Sequence, residues 1–235
     1  MKTIPRAERL IVALDVPSAE AAKSLVQRLG DSTSFYKIGL QLFMADGYFG
    51  LIDWLARQGK KVFVDLKFFD VPETVGAAVR GLRGRGVTFA TVHGNQPILE
   101  AAGKEKGEVK ILAVTALTSL DQGDLEDLGF QCDIQKLVLS RARRALEAGC
   151  DGVISSGLEA PLLKRELGER LLVVTPGIRP VQNRPSNDHK RTVDVAQAFA
   201  NGADYIVVGR PIHQASDPRA AALGIQATIA AVFPA

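Results

Sequence analysis

The stretch LIVALDVPSAEAAKSLVQRLG, residues 10 to 30, holds a strand, a helix and the turn between them. LIVALDV is an apolar, β-branched run of strand length. In SAEAAKSLVQRLG, Ser18 stands at an N-cap, Ala22, Leu25, Val26 and Leu29 recur on one helical face, and Gly30 follows as a terminator. A strand followed by a helix opens both doubly wound sheets and closed barrels, and the turn tells them apart. A dinucleotide-binding sheet carries G-x-G-x-x-G there, because its backbone must approach a pyrophosphate. This chain reads LDVPSAE instead, and no P-loop pattern occurs elsewhere.

The same unit recurs along the chain. Strand-like runs follow at FYKIGL (35 to 40), KVFVDLK (61 to 67), FATVHG (89 to 94), VKILAVTAL (109 to 117), GVISS (152 to 156), LLVVTPG (171 to 177) and DYIVVGR (204 to 210). Helical patterns lie between them, among them IQKLVLSRARRALEAG and VDVAQAFANG, and RAAALGIQATIAAV closes the chain. Eight strands alternating with helices in 235 residues predict an α/β fold of the (β/α)8 TIM barrel type, with residues 1–235 as a single catalytic domain; such barrels typically run to ~250 residues.

Composition fits this reading. At 46% hydrophobic and 23% charged residues the chain can fill a core, and long disorder is excluded. No segment approaches the roughly 18 uninterrupted apolar residues of a membrane span, and MKTIPRAERL lacks the apolar run of a signal peptide, so the expectation is a cytoplasmic protein with no membrane partner. Cys132 and Cys150 are far apart and outside any CxxC or Cys/His cluster, so neither a disulfide framework nor a zinc site is expected. The net charge of +3 is scattered. Its densest basic run, RGLRGRG at 80 to 86, has no interleaved aromatics and falls where a helix ends, where arginines complement the dipole; nucleic acid is not an expected partner.

Barrel active sites lie at the C-terminal ends of the strands and in the loops beyond. Polar residues at those ends are Asp15, Lys37, Asp65, Lys67, His93, Thr115, Thr118, Ser155, Ser156, Thr175 and Arg210. The third strand runs into FVDLKFFD, residues 63 to 70, with three charges in a segment otherwise fit for burial. Alternation puts Phe63, Asp65 and Lys67 on one face and Val62, Val64 and Leu66 on the other. With the apolar set against the helices, Asp65 and Lys67 point into the mouth, Lys37 arrives from the second strand and Asp70 follows on the loop. Two lysines and two aspartates then make an alternating network. A structural ion-pair network is the competing reading. Buried ions lose several kcal/mol each in desolvation, and apolar replacements are often as stable, so four of them at the catalytic end favour function.

A phosphate signal stands apart from that network. Barrels often bind phosphate with the loops after strands 7 and 8. Here those loops read TPGIRP and VVGRPIHQ, supplying Gly177 and Gly209 together with Arg179 and Arg210, whose guanidinium forks match phosphate geometry. The expected ligand is a phosphorylated small molecule.

On the LDV of residues 14 to 16, the YKIG of 36 to 39, the DLKFFDVPET of 65 to 74, the TPGIRP of 175 to 180 and the YIVVGRPI of 205 to 212, the sequence resembles the orotidine 5′-phosphate decarboxylase family over nearly its whole length. The resemblance implies decarboxylation of orotidine 5′-phosphate to uridine 5′-phosphate, the last step of de novo pyrimidine nucleotide synthesis, without a cofactor. It implies that Lys67 is the catalytic lysine, protonating C6 of the pyrimidine, and that Lys37, Asp65 and Asp70 complete its charged tetrad. Asp15 and Lys37 would hold ribose hydroxyls, Thr118 the pyrimidine, and Arg179, Gly209 and Arg210 the phosphate. A homodimer is also implied, with Asp70 and Thr74 reaching the partner's site.

Two positions depart from the family pattern. His189 stands where the loop usually has glutamine, and either takes over a phosphate or pyrimidine contact or is a solvated histidine. After the fourth strand TVHGNQ replaces a glycine pair, which makes His93 structural rather than catalytic. The alternatives are a metal-dependent sugar-phosphate decarboxylase of the same suprafamily, which would need further carboxylates at the strand ends, and a non-catalytic nucleotide-binding barrel. The latter would have lost Lys67 or one of the two arginines, and all three are present.

Overall fold

The computed structural model describes residues 3–178 and 192–234. Eight parallel strands, β1 (Leu10–Ala13), β2 (Phe35–Gly39), β3 (Lys61–Phe68), β4 (Val87–His93), β5 (Lys110–Val114), β6 (Gly152–Ile154), β7 (Leu172–Thr175) and β8 (Tyr205–Val208), pair each with the next. β8 returns to β1, and the sheet closes into a barrel. Each predicted strand is there; six are shorter than the apolar run that marked them, while β3 and β4 are each one residue longer than theirs. The run at 109 to 117 yields only Lys110–Val114, because Thr115 already bonds across to the next strand, its Oγ1 donating to the Ile154 carbonyl at 3.0 Å.

The helices are α1 (Ala19–Leu29), α2 (Leu40–Phe43), α3 (Tyr48–Arg57), α4 (Pro72–Arg80), α5 (Gln96–Glu105), α6 (Gln122–Asp127), α7 (Ile134–Glu147), α8 (Ala160–Leu167), α9 (Val195–Ala200), α10 (Arg210–His213) and α11 (Pro218–Val232). α1 has the expected ends: Ser18 Oγ accepts from the Ala21 N–H at 3.1 Å, and Gly30 takes φ 60°, where a Cβ would be strained. Aspartates cap α7, α9 and α11 in the same manner, at Asp133, Asp194 and Asp217.

Alternation along the strands sorts the core into two layers. Val62, Val64 and Val173 face outward among the apolar helix faces, while Ile11, Phe63, Leu112, Val174 and Val207 fill the barrel interior. Four aromatics pack together in that interior: Phe89 lies 5.1 Å from Phe35, 5.9 Å from Phe63 and 5.1 Å from Tyr205, centroid to centroid. All four stand in the N-terminal halves of their strands, so bulk is spent below and the C-terminal mouth is left to smaller and polar side chains.

The basic run at 80 to 86 is paired within the chain. Arg80 and Arg83 both meet the Glu105 carboxylate, at 2.8 and 3.1 Å, and Arg85 Nε donates to the Gly81 carbonyl just past α4. Cys150 is buried, and burial is the main reason its thiol is pushed up to about 12. Among the described residues no helix is long and apolar enough to cross a membrane.

Candidate active site

A cavity of about 470 Å³ opens at the C-terminal ends of the strands. Ala13, Phe63, Val114, Ile154 and Val207 form its apolar depth. Around them stand Asp15, Lys37, Asp65 and Lys67 on one side, Leu117, Thr118 and Ser119 beyond β5, Pro176 and Gly177 beyond β7, and Gly209 and Arg210 at the start of α10.

The four charges form a line. Asp15 Oδ1 accepts from Lys37 Nζ at 3.1 Å, Lys37 Nζ lies 3.3 Å from Asp65 Oδ2, and Asp65 Oδ1 accepts from Lys67 Nζ at 3.0 Å. Side-chain exposure is 12% for both Lys37 and Asp65 but 46% for Asp15 and 34% for Lys67. All four line the cavity, the inner lysine and aspartate more deeply buried than the outer aspartate and outer lysine. Gly39 makes room for this line, since a Cβ there would sit 3.2 Å from Lys37 Nζ.

Plain alternation puts Asp65 and Lys67 on the cavity side, and both line it, but β3 reaches that arrangement irregularly. Val64 pairs with Ala90 and Phe68 with Val92, so four steps on β3 match two on β4 and the strand carries a bulge of two residues. Within it Lys67 has φ 49°, the one positive φ of a non-glycine residue among those described. Such a backbone costs on the order of 1–3 kcal/mol and persists only where its surroundings hold it. The holder is Thr91 of β4, fully buried, whose Oγ1 accepts from the Lys67 N–H at 2.9 Å and donates to Asp65 Oδ1 at 3.0 Å.

Burial alone would push the Asp65 carboxyl up. The charges of Lys37 and Lys67, with hydrogen bonds from Lys67 and Thr91, outweigh it and hold Asp65 below its ordinary 3.8. Burial likewise opposes the ammonium of Lys37, but Asp65 and Asp15 outweigh it and raise Lys37 above 10.5. The signs fix a stability window. The contribution of Asp65 is present above pH 3.8 and lost as pH falls through its lower folded value; that of Lys37 is present below pH 10.5 and lost as pH rises through its higher folded value. Urea unfolding of wild type and Lys37→Met across pH 2 to 12 should show a difference that is flat inside that window and changes at both edges. A difference independent of pH would contradict the coupling.

Other predicted residues fall differently. Asp70 is exposed in this chain, and its Oδ1 accepts from the Val71 N–H at 2.6 Å rather than joining the line of charges; the fourth member within the chain is Asp15. Thr74 is exposed on the first turn of α4 and does not line the cavity. Around them the surface is apolar, with Phe69 at 65% and Val71 at 61% exposure. His93 stacks on Phe69 at 4.4 Å, and its Nδ1 meets Asn95 Oδ1 at 2.9 Å, outside the cavity lining. Ser155 and Ser156 turn to the Glu159 carboxylate, and Thr175 is buried away from the lining, so β6 and β7 contribute Ile154, Pro176 and Gly177 where a polar residue from each strand was expected. Thr118, Gly209 and Arg210 line the cavity as expected; Arg179 and His189 lie outside the described residues.

Three participants carried no signal in the sequence. Ser119 follows Thr118 into the lining, and Thr91 reads as an ordinary β-branched strand residue. His213 borders the Gly209 corner: its Cδ2 lies 4.0 Å, and Asp15 Oδ2 3.5 Å, from the point a Gly209 Cβ would occupy. Its Nε2 is buried with no hydrogen-bond partner among the described residues, and its imidazole is held below the usual histidine value by burial, with Asp15 opposing and Arg210 adding to the shift.

Comparison with known proteins points one way. The orotidine 5′-phosphate decarboxylase of Methylococcus capsulatus is 68% identical over 234 residues, covering 100% of this chain and 97% of the relative. That of Xanthomonas euvesicatoria is 51% identical over 229 residues, 97% of this chain and 94% of the relative. The crystal structure of orotidine 5′-phosphate decarboxylase from Lactobacillus acidophilus superposes with a TM-score of 0.83 at 36% identity, covering 94% of this chain and 99% of that one. The family described as orotidine 5′-phosphate decarboxylase / HUMPS matches residues 8–225. With a barrel of that shape, a line of charges at its mouth and relatives matched end to end, the chain belongs to the orotidine 5′-phosphate decarboxylase / HUMPS family.

Proposed function

We propose that this chain decarboxylates orotidine 5′-phosphate to uridine 5′-phosphate and carbon dioxide, the last step of de novo pyrimidine nucleotide synthesis. The observation that carries the reading is the Asp15, Lys37, Asp65, Lys67 line at the mouth of the cavity, in a chain 68% identical to a decarboxylase of that name.

Loss of carbon dioxide breaks the C6–carboxyl bond and leaves its electron pair on C6, a vinylic carbanion with no adjacent carbonyl to delocalise it. We assign its stabilisation to the ammonium of Lys67, which then gives C6 a proton and is reprotonated from water. Asp65 aims that ammonium by accepting from Lys67 Nζ at 3.0 Å, and Lys37 Nζ, 3.3 Å from the other carboxylate oxygen, holds Asp65 in place. No electron-sink cofactor is needed for a step written this way. Asp15 and Lys37 are assigned to the ribose hydroxyls and Thr118 to the pyrimidine. Gly209, Arg210 and Arg179 are assigned to the phosphate, whose remote contacts supply binding energy for closing the site. His189 is assigned a phosphate or pyrimidine contact.

The functional unit in this reading is a homodimer of single-domain subunits, residues 1–235, in which Asp70 and Thr74 enter the partner's site. The exposed Phe69 and Val71 support it, because they flank Asp70 with apolar surface that a second copy would cover. The cytoplasm is the assigned location, since charged nucleotides do not cross membranes unaided.

Purified protein mixed with orotidine 5′-phosphate and a chelator should consume the orotate absorbance at full rate. No turnover, or turnover that depends on added metal, would overturn the reading, the second result in favour of the metal-dependent relative.

A further inference from the structure

We infer that Thr91 is a positioning residue for the reaction, its hydroxyl locking the backbone and the side chain of Lys67 into one unit with Asp65. The inference rests on the decarboxylase reading and deepens it.

Three hydrogen bonds close a ring. The Lys67 N–H donates to Thr91 Oγ1 at 2.9 Å, Thr91 Oγ1 donates to Asp65 Oδ1 at 3.0 Å, and Lys67 Nζ donates to the same Asp65 oxygen at 3.0 Å. The ring fixes the lysine at both ends of its side chain, at the backbone nitrogen and at the ammonium. The place matters, because the β3 bulge takes Lys67 out of the ladder with β4 and its N–H must find another acceptor. A carboxylate oxygen on the other side needs a donor. Only a group that accepts and donates at once serves both, and a hydroxyl on a short stem from the neighbouring strand does so. Thr91 is 0% exposed, so water does not substitute for it.

The ring also accounts for the positive φ of Lys67. That conformation aims the lysine up into the cavity, and it is held by a bond from the next strand rather than by local preference. Thr91 does not line the cavity, so its effect on a ligand passes through Lys67 and Asp65. Loss of the hydroxyl should therefore spare binding and slow the chemical step, whose rate depends on the aim of one ammonium.

The test uses the full-length protein. Thr91→Val keeps the side-chain shape and removes the hydroxyl, and Thr91→Ser keeps the hydroxyl. Thr91→Val should lower kcat on the order of 10- to 100-fold, with KM for orotidine 5′-phosphate and Kd for uridine 5′-phosphate within about threefold of wild type. Thr91→Ser should return kcat to within about threefold. If the valine variant does not fold, Thr91→Cys, a poor hydrogen-bonding near-isostere of serine, serves with the same expectation. A kcat retained without the hydroxyl, a parallel loss of nucleotide binding, or a serine variant as slow as the valine would each overturn the role of Thr91. An inactive wild type would instead overturn the decarboxylase reading, so the two failures are told apart.

Discussion

Lys67→Ala is expected to lower turnover of orotidine 5′-phosphate by about four to six orders of magnitude, because one ammonium both stabilises the carbanion and protonates it. The two losses do not simply multiply, since they fall on the same step. Binding of uridine 5′-phosphate should stay within about tenfold, as the contacts assigned to ribose and phosphate are made by other residues. The variant should also fold: Asp65 keeps Lys37 at 3.3 Å and the Thr91 hydroxyl at 3.0 Å, so its buried charge is not orphaned, and the strain at position 67 remains held by Thr91. Single-turnover kinetics with calorimetric binding of the product separates these effects. A variant within tenfold of wild type would remove Lys67 from the chemistry.

A second large effect follows from the position of Asp70. Within one chain its carboxylate turns to the Val71 N–H on an exposed loop, so any part in catalysis must be played in another subunit. Asp70→Asn and Lys67→Ala homodimers should each be nearly inactive. In a mixed dimer, one site then receives both altered residues and the other receives neither. After unfolding and refolding of an equal mixture, half the dimers are mixed and half of their sites are intact, so activity should recover to about a quarter of wild type. Recovery is measured against each variant refolded alone. Absence of recovery, or full activity of Asp70→Asn alone, would contradict the shared site.

How much of this was readable in the chain depends on the range of the interaction. Ser18, Gly30 and the spacing of Ala22, Leu25, Val26 and Leu29 gave α1 because capping and helical periodicity act within a few residues. The closed barrel followed from repetition of such local units. Alternation was enough to put Asp65 and Lys67 toward the cavity. It was not enough to show the bulge that delivers Lys67, because register is a property of two strands and Thr91 lies 24 residues away. The same limit explains Asp70. Spacing marks it as a charge of the network without saying which subunit's site it serves, while within one chain the tertiary fold brings Asp15 to Lys37 across β1 and β2. Ser155 and Ser156 misled for a related reason: strand-end polarity does not say which way a side chain turns, and Glu159, four and three residues on, draws both hydroxyls inward.

The aromatic floor of the barrel has an electrical consequence. Phe35, Phe63, Phe89 and Tyr205 fill the space beneath the line of charges with packed apolar rings that have little dipole to reorient, so below Asp15 and Lys67 little matter is able to screen them. Field lines avoid such a region and crowd toward the open end. The packed phenyl rings thus work as an insulating backing plate, and they direct the potential of the exposed aspartate and lysine upward, onto whatever occupies the mouth.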